Sequence, residues 1–422
     1  MHILMTAYAC HPSMGSEHGN GWNWPTHVAA RGHEVTVLTT PASHDAVEAE
    51  LHERPRPGLS FEYVPVPAWP LRLGWTVGSA LQYLLWQEAA AARAARLHAQ
   101  RPFDLLHHVS YGSLLGGSRL HRVGPPVVFG PIGGGQTAPP AFARYFGRYW
   151  RKEMLRTLLV RHGWCLSRAA VGTVRTAVVL AANRETAALA RRMGARRIEA
   201  MLDVGLPEDS FPEELPERPR RDRLELLWVG RILPRKGLDL CLDVVERCAA
   251  ELPVRLTIVG DDYPAQPVLD HERLRRLGDL VEWRGSLPWS DVAEAYRDAD
   301  AFLFTSLRDS CGVQLLEAMT WGLPVITLDH QGAALLVPDE AGFKVPVTTP
   351  SATVGALVDA VGRLAKSEEL RRRMGEAAFA AARQFTWERR VEDMEGIYRR
   401  CVDGASVRGA LATTNAPAAS KP

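Results

Sequence analysis

A chain of 422 residues is too long for one compact core, so two domains are the expectation. With 46% hydrophobic and 23% charged residues it has the make-up of an ordinary globular protein, and a net charge of +2 gives no drive towards nucleic acid. The six cysteines (Cys10, Cys165, Cys241, Cys248, Cys311 and Cys401) show neither CxxC nor metal-ligand spacing, and they read as reduced thiols of a cytoplasmic protein. The sequence opens directly on a strand pattern without a signal-peptide layout, and no apolar run approaches membrane-spanning length.

The first half alternates strand and helix patterns. Apolar, β-branched runs over 2–8, 33–40, 60–66, 103–110, 125–130, 176–183 and 196–202 predict seven strands. An alanine-rich helix is expected over 81–100. From 203 to 223 four prolines and many charges mark a linker. The pattern then restarts, with strands expected over 224–230, 254–260, 280–285, 301–304 and 324–328. Strands spaced by helices predict an α/β protein with two doubly wound parallel sheets. In such sheets ligands bind past the carboxyl ends of the strands. The expected division is 1–204 for the first domain, 205–222 for the linker, 223–385 for the second domain, 386–404 for a closing helix, and 405–422 for a disordered tail rich in Ala, Thr, Ser and Pro.

The most informative stretch runs from Asp300 to Ile326. A buried strand, Ala301 to Phe304, leads through a polar loop into a helix whose apolar residues are Val313, Leu315, Leu316 and Met319. Gly322 caps that helix and Pro324 follows. The free N–H groups at its start, Ser310, Cys311, Gly312 and Val313, offer a site for a phosphate. Asp309 lies in the loop, and Glu317 lies two turns along the same helix. This unit resembles the signature of retaining glycosyltransferases of family 4 (glycosyl transferases group 1), which have the GT-B fold. That family carries Glu, seven residues, Glu, then A-M-A-x-G-x-P-V-I. Here the acids are Asp309 and Glu317, followed by Ala318, Met319, Thr320, Trp321, Gly322, Leu323, Pro324, Val325 and Ile326. The first acid is Asp rather than Glu, one methylene shorter.

A second stretch carries the same resemblance. WVGRILPRKG, Trp228 to Gly237, matches the family pattern V-G-R-(L/I)-x-x-x-K-G. Arg231 and Lys236 follow a strand end, with Gly230 before them, and two cations there can neutralise a diphosphate leaving group. The resemblance implies two Rossmann-like domains facing a cleft and a last helix, Trp387 to Cys401, crossing back to the first domain. It implies transfer from a nucleoside-diphosphate sugar, UDP- or GDP-linked, to a small-molecule or glycan acceptor with retention of configuration, the leaving phosphate taking the acceptor proton. Asp309 is then the acid that meets the donor sugar, Glu317 reaches the ribose, and the turn at Gly285 holds the base. Another GT-B activity, a phosphorylase or a nucleotide-sugar epimerase, and a non-catalytic nucleotide-sugar-binding protein are the rival readings.

The loop after the first strand, ACHPSMGSEHGNGWNW, places Gly15 and Ser16 where the family meets the donor phosphates, with Glu17 and His18 positioned to touch acceptor. The usual family His after the fifth strand is missing; the sequence reads GPIGGGQ, and Gly133 and Gly134 are taken as a backbone surface against acceptor or donor sugar. His107 and His108 are the nearest substitutes, one facing the cleft and the other the core, with His108 the catalytic candidate. Asp298 and Asp300 read as helix and strand ends rather than a metal motif, and Asp261 with Asp262 does not make a metal site. No metal and no cofactor beyond the donor are expected. The basic, aromatic segment 142–162 reads as a helix with a cleft-facing basic side, in preference to a peripheral membrane contact.

Overall fold

The computed structural model describes residues 1–262 and 267–414, without the side chains of 75–76 and 405–414. The first sheet is parallel throughout and consists of β1 (His2–Ala7), β2 (Glu34–Thr39), β3 (Leu59–Tyr63), β4 (Leu105–Ser110), β5 (Val127–Ile132), β6 (Val178–Ala181) and β7 (Arg197–Ala200). Their order is β3-β2-β1-β4-β5-β6-β7. The second sheet consists of β8 (Leu224–Val229), β9 (Val254–Val259), β10 (Val281–Trp283), β11 (Ala301–Phe304), β12 (Val325–Leu328) and β13 (Gly342–Val345), in the order β10-β9-β8-β11-β12-β13. Both sheets are doubly wound, as the strand patterns predict. β13 was not expected: it is four residues long, opens on glycine and carries a lysine, too little for a period to show.

Strand order fixes where the cleft lies. The direction of winding reverses between β1 and β4 in the first sheet and between β8 and β11 in the second. The crevice of a doubly wound sheet opens at that reversal, past the carboxyl ends. The Gly15 loop follows β1, the Tyr111 turn follows β4, the Arg231–Lys236 loop follows β8, and the Asp309 loop follows β11. All four therefore converge on the two crevices.

The chain crosses between domains along two paired segments. Leu206 donates its N–H to Phe385 O (2.9 Å) and accepts from Trp387 N (3.1 Å). Gly205 lies against the Trp387 ring, where a Cβ would come within 2.7 Å of a ring atom. The expected linker is not loose: Arg218 donates to the carbonyls of Ala299 (2.6 Å) and Trp321 (2.7 Å), tying it to the second domain. The last helix, Trp387–Thr414, begins where predicted and packs Trp387, Val391, Met394, Ile397 and Tyr398 into the core of the first domain. It runs through 405–414, which composition assigned to a tail; residues 415–422 lie outside the described residues.

One segment ignores the division at residue 204. The 3-10 stretch Pro140–Tyr149 is an arm: Phe142, Tyr145 and Phe146 are buried in the core of the second domain with Ile232, Leu238 and Leu242. Tyr145 Oη donates to Asp243 (2.7 Å), and Arg144 pairs with the same carboxylate at 2.8 Å. Helix Trp150–His162 then returns Val160 to the core of the first domain. Truncating the fully buried Phe142 to alanine should cost about 3–5 kcal/mol of stability through lost transfer energy and the cavity left behind. Urea unfolding of Phe142→Ala checks this, and a loss below about 1 kcal/mol would show that the arm does not belong to that core.

Candidate active site

The Asp309 loop and the Arg231–Lys236 loop meet through charge. Lys236 is buried, and its ammonium makes a short ion-paired hydrogen bond to Asp309 Oδ2 while lying 5.6 Å from the Phe304 ring centroid. Arg235 Nη1 is 3.8 Å from the same carboxylate oxygen, and Asp309 Oδ1 accepts from Ser310 N (3.1 Å). Burial pushes the Asp309 carboxyl up, but Lys236 and Arg235 outweigh it and hold the group below its ordinary value. For Lys236 burial wins, and its ammonium is held below the usual lysine range despite Asp309. A buried ammonium needs a counter-charge, and Asp309 supplies it. Arg231, in contrast, is exposed.

Helix Val313–Thr320 starts from Gly312 at φ +89, with no side-chain cap on its first N–H groups. A side chain at Gly312 would be strained and would meet the Phe304 ring at 2.7 Å. Glu317 faces inward and accepts from Tyr296 Oη (2.9 Å); burial raises its carboxyl, with Tyr296 and Lys236 pulling the other way. Gly230 closes β8 beside Gly260, and Gly285 follows β10 against Asp261. The donor candidates of the second domain thus sit on one rim of its sheet, whereas Gly15 and Ser16 belong to the first domain. Asp261 accepts from Ser286 N (3.0 Å) and Asp262 from Val268 and Leu269 N (2.9 and 3.0 Å), so both acids organise loops. Asp300 binds Glu225 N at the opposite, amino end of the strands. Among the described residues no three His, Cys, Asp or Glu side chains group as a metal site.

Gln331, just after β12, was not anticipated. Its Oε1 accepts from Asp309 N (2.6 Å), and its Nε2 donates to Leu307 O (3.5 Å) and, across the cleft, to Thr137 O (3.1 Å). Its φ is +55, a conformation that costs a glutamine of order 1 kcal/mol or more. The other non-glycine residues with positive φ among those described are Ser16, which opens the helix after β1, and Tyr111, in the turn after β4. A left-handed glutamine has no signature in a single sequence.

Gly133 approaches Ser310 so closely that a Cβ would lie 2.9 Å from the serine Cβ, so the GPIGGG loop packs its backbone against the Asp309–Ser310 loop. Asn183 Nδ2 donates to Ser310 O (3.2 Å) from the same side. Gly15 is exposed at the start of helix Ser16–Ala30, and Glu17 accepts from Tyr111 N (2.6 Å), which orders the turn after β4. His18 is partly buried, and burial and then His11 lower its basicity. The histidine expectation fails. His108 is fully buried between Thr6 Oγ1 (3.0 Å) and Tyr83 Oη (3.2 Å), and His107 is bound to Tyr398 Oη (2.6 Å). β4 is covered on both faces, by helix 75–100 on one side and the crossover helix on the other, so neither ring reaches the cleft. Burial depresses His108 to about 4 and His107 to about 3, leaving both neutral.

Asp203 is a second residue that the sequence did not single out. It opens the crossing to the second domain, and its buried Oδ1 has no hydrogen-bond partner. Burial, then Glu17 and Asp309, push its carboxyl up to about 7.

Residues 211–381 match the family described as glycosyl transferases group 1. The phosphatidyl-myo-inositol mannosyltransferase of Mycobacterium tuberculosis is 31% identical over 214 residues, 47% of this chain and 54% of the relative. The D-inositol 3-phosphate glycosyltransferase 2 of Catenulispora acidiphila is 32% identical over 224 residues, 49% of each chain. The chain spans about half the length of the curated relatives it matches. Among solved structures, sucrose-phosphate synthase from Thermosynechococcus elongatus superposes with a TM-score of 0.64 at 19% identity, covering 96% of this chain and all of that one. The Anabaena HepE protein, solved with UDP, gives 0.59 at 16% identity, covering 94% of this chain and 99% of that one. The architecture is GT-B, and no helix among the described residues is long and apolar enough to cross a membrane.

The raised Asp203 carboxyl has a thermodynamic consequence. Between 3.8, the ordinary value, and about 7 the folded protein holds a proton that the unfolded chain has released, so stability falls as pH rises through that window. Asp203→Asn cannot ionise. It should be the more stable protein above the window, with the advantage vanishing below it. Tm of both proteins against pH tests this; a difference independent of pH would show that Asp203 is ionised in the fold.

Proposed function

We propose that this GT-B chain, whose residues 211–381 belong to the glycosyl transferases group 1 family, is a retaining glycosyltransferase working in a reducing, cytoplasmic compartment and using a nucleoside-diphosphate sugar. The observation that carries the reading is the convergence of Arg231, Lys236 and the open start of helix Val313–Thr320 beside Asp309 and Glu317, at the carboxyl ends of β8 and β11. In the proposed reaction the acceptor hydroxyl oxygen bonds to the anomeric carbon as the bond from that carbon to the phosphate oxygen breaks. The hydroxyl proton passes to the departing phosphate, and nucleoside diphosphate leaves. No protein base is needed, which accords with two buried, neutral histidines.

Charge developing on the leaving diphosphate is met by Arg231, Lys236 and the helix N–H groups. Asp309, locked by Lys236, Arg235 and Gln331, is aimed at the hydroxyls of the transferred sugar, and Glu317 at the ribose. The shorter Asp309 is held in place by these partners. The engagement of Asp261 and Asp262 by backbone N–H groups supports a mechanism without a metal.

Arg231→Ala should lower kcat/KM by about 10²–10³, the scale of one transition-state charge contact. Lys236→Ala should lower it similarly but also destabilise the fold, since it strands a buried carboxylate. Exposed Arg231 is therefore the cleaner probe, and a wild-type rate in Arg231→Ala would refute the diphosphate site. Glu317→Gln should weaken binding of free nucleoside diphosphate in calorimetry. Asp309→Asn should leave that binding within a few-fold while reducing turnover. The opposite pattern would exchange the two roles.

Transfer should persist in excess EDTA. Loss of activity on chelation, restored by Mg²⁺ or Mn²⁺, would assign Asp261 and Asp262 to a metal instead.

A further inference from the structure

Helix Trp150–His162 is built inside out. Met154, Leu155, Leu158 and Leu159 are each more than half exposed, while Glu153 and Val160 are buried. Single exposed leucines are ordinary, but four on adjoining turns of one helix form a patch that calls for an occupant. Met154, Leu155 and Leu158, with Trp150 of the same helix, line a groove of about 590 Å³ to which Ala138 and Pro140 also contribute. The neighbouring face, with Lys152, Arg156 and Leu159, looks across a second cavity of about 490 Å³ at Arg231, Arg235 and Arg308. Leu155 lines both spaces, so they adjoin on this helix.

The second cavity has five cationic side chains on its walls and one acid, Glu153. Glu153 is shared between two of them: its Oε1 lies 2.8 Å from Arg308 Nε and 3.5 Å from Arg156 Nη1, so one carboxylate faces five cations. Burial, then the neighbouring arginine, disfavours the charged form of Arg308. Such a cluster gains most from a ligand that brings negative charge. The cavity adjoins the donor site, because Arg308 immediately precedes Asp309 and Arg235 lies 3.8 Å from its carboxylate.

Taking Asp309 as the residue that meets the transferred sugar, we infer that the groove and the cationic cavity together hold the acceptor, an amphiphile with an anionic head group and an apolar chain. The head group sits among Arg156, Arg308 and Lys152, and the chain lies along Leu155, Leu158 and Met154. A second copy of this chain fits the groove poorly. Arg151, Arg161 and His162 border the apolar stripe and would meet their own counterparts.

Calorimetry on the full chain, with dodecyl phosphate below its micelle concentration, inorganic phosphate and dodecyl maltoside as probes, tests this. Dodecyl phosphate should bind at least tenfold more tightly than either of the others. Arg156→Gln should weaken it about tenfold or more. Leu158→Ser, at an exposed position that the fold tolerates, should weaken it several-fold and leave inorganic phosphate unchanged. Equal binding of dodecyl phosphate and inorganic phosphate, or indifference to both substitutions, would overturn the assignment. Sedimentation with phosphatidylglycerol vesicles separates the remaining case: vesicle binding lost in Leu158→Ser without any binding of monomeric dodecyl phosphate would make the patch a membrane contact and defeat the groove. Nucleoside diphosphate is titrated into the same variants and should bind unchanged. Its failure to bind the wild type would refute the donor reading instead, leaving the amphiphile result to stand or fall by itself.

Discussion

The buried pair of Lys236 and Asp309 is the constraint on which the site depends. The two residues are 73 positions apart, on loops that follow β8 and β11, and only the strand order makes them neighbours. Taking an ammonium out of water costs several kcal/mol unless a counter-charge and further hydrogen bonds replace the solvent. Each partner therefore fixes the other's loop. Asp309 is held further through Ser310 N, Arg235 and the Gln331 amide, so its carboxylate has few orientations left. For the sugar-contacting role proposed for Asp309 such restraint is a gain, since positioning entropy is lost in folding and not in each turnover.

The pair also joins the two domains. Gln331 links the Asp309 backbone to Thr137, Asn183 holds Ser310 O, and Gly133 touches the Ser310 side chain. The left-handed backbone of Gln331 is tolerated because its amide makes three hydrogen bonds at once, one across the cleft. Apposition of the domains and placement of the acid are thus one arrangement.

Twelve of the thirteen strands among the described residues, the two domains, the crossover helix and the Asp309–Glu317 unit are legible because each is local: an apolar run, a cap, a fixed spacing. What escaped was set by distance in the chain. Nothing near Lys236 says that its charge would be met by Asp309 rather than left facing the cleft. His108 alternates out of the sheet as expected, but whether that side is cleft or core depends on Tyr83, 25 residues earlier. Asp203 reads as an ordinary turn acid until the crossing buries it near Glu17 and Asp309. Segment 142–162 was read as one helix with a basic side. The basic side is there, but the first part is an arm committed to the other domain, where Tyr145 and Arg144 find Asp243. In the helix that follows, the leucines point outward.

That arm relates the two domains mechanically. Phe146 is anchored in the core of the second domain, whereas Val160, at the far end of the following helix, is anchored in the first. Helix Trp150–His162 thus spans the two bodies, with Arg156 and Leu159 facing Arg231 and Arg308. A rotation of one domain against the other cannot leave this cavity unchanged, because its walls belong to both. A ligand filling it would bias the domain angle by its differential affinity for the open and closed widths. The same angle sets whether Gln331 reaches Thr137, and with it the support behind Asp309. Occupation of the cavity would therefore act on the orientation of the acid through the frame that carries both.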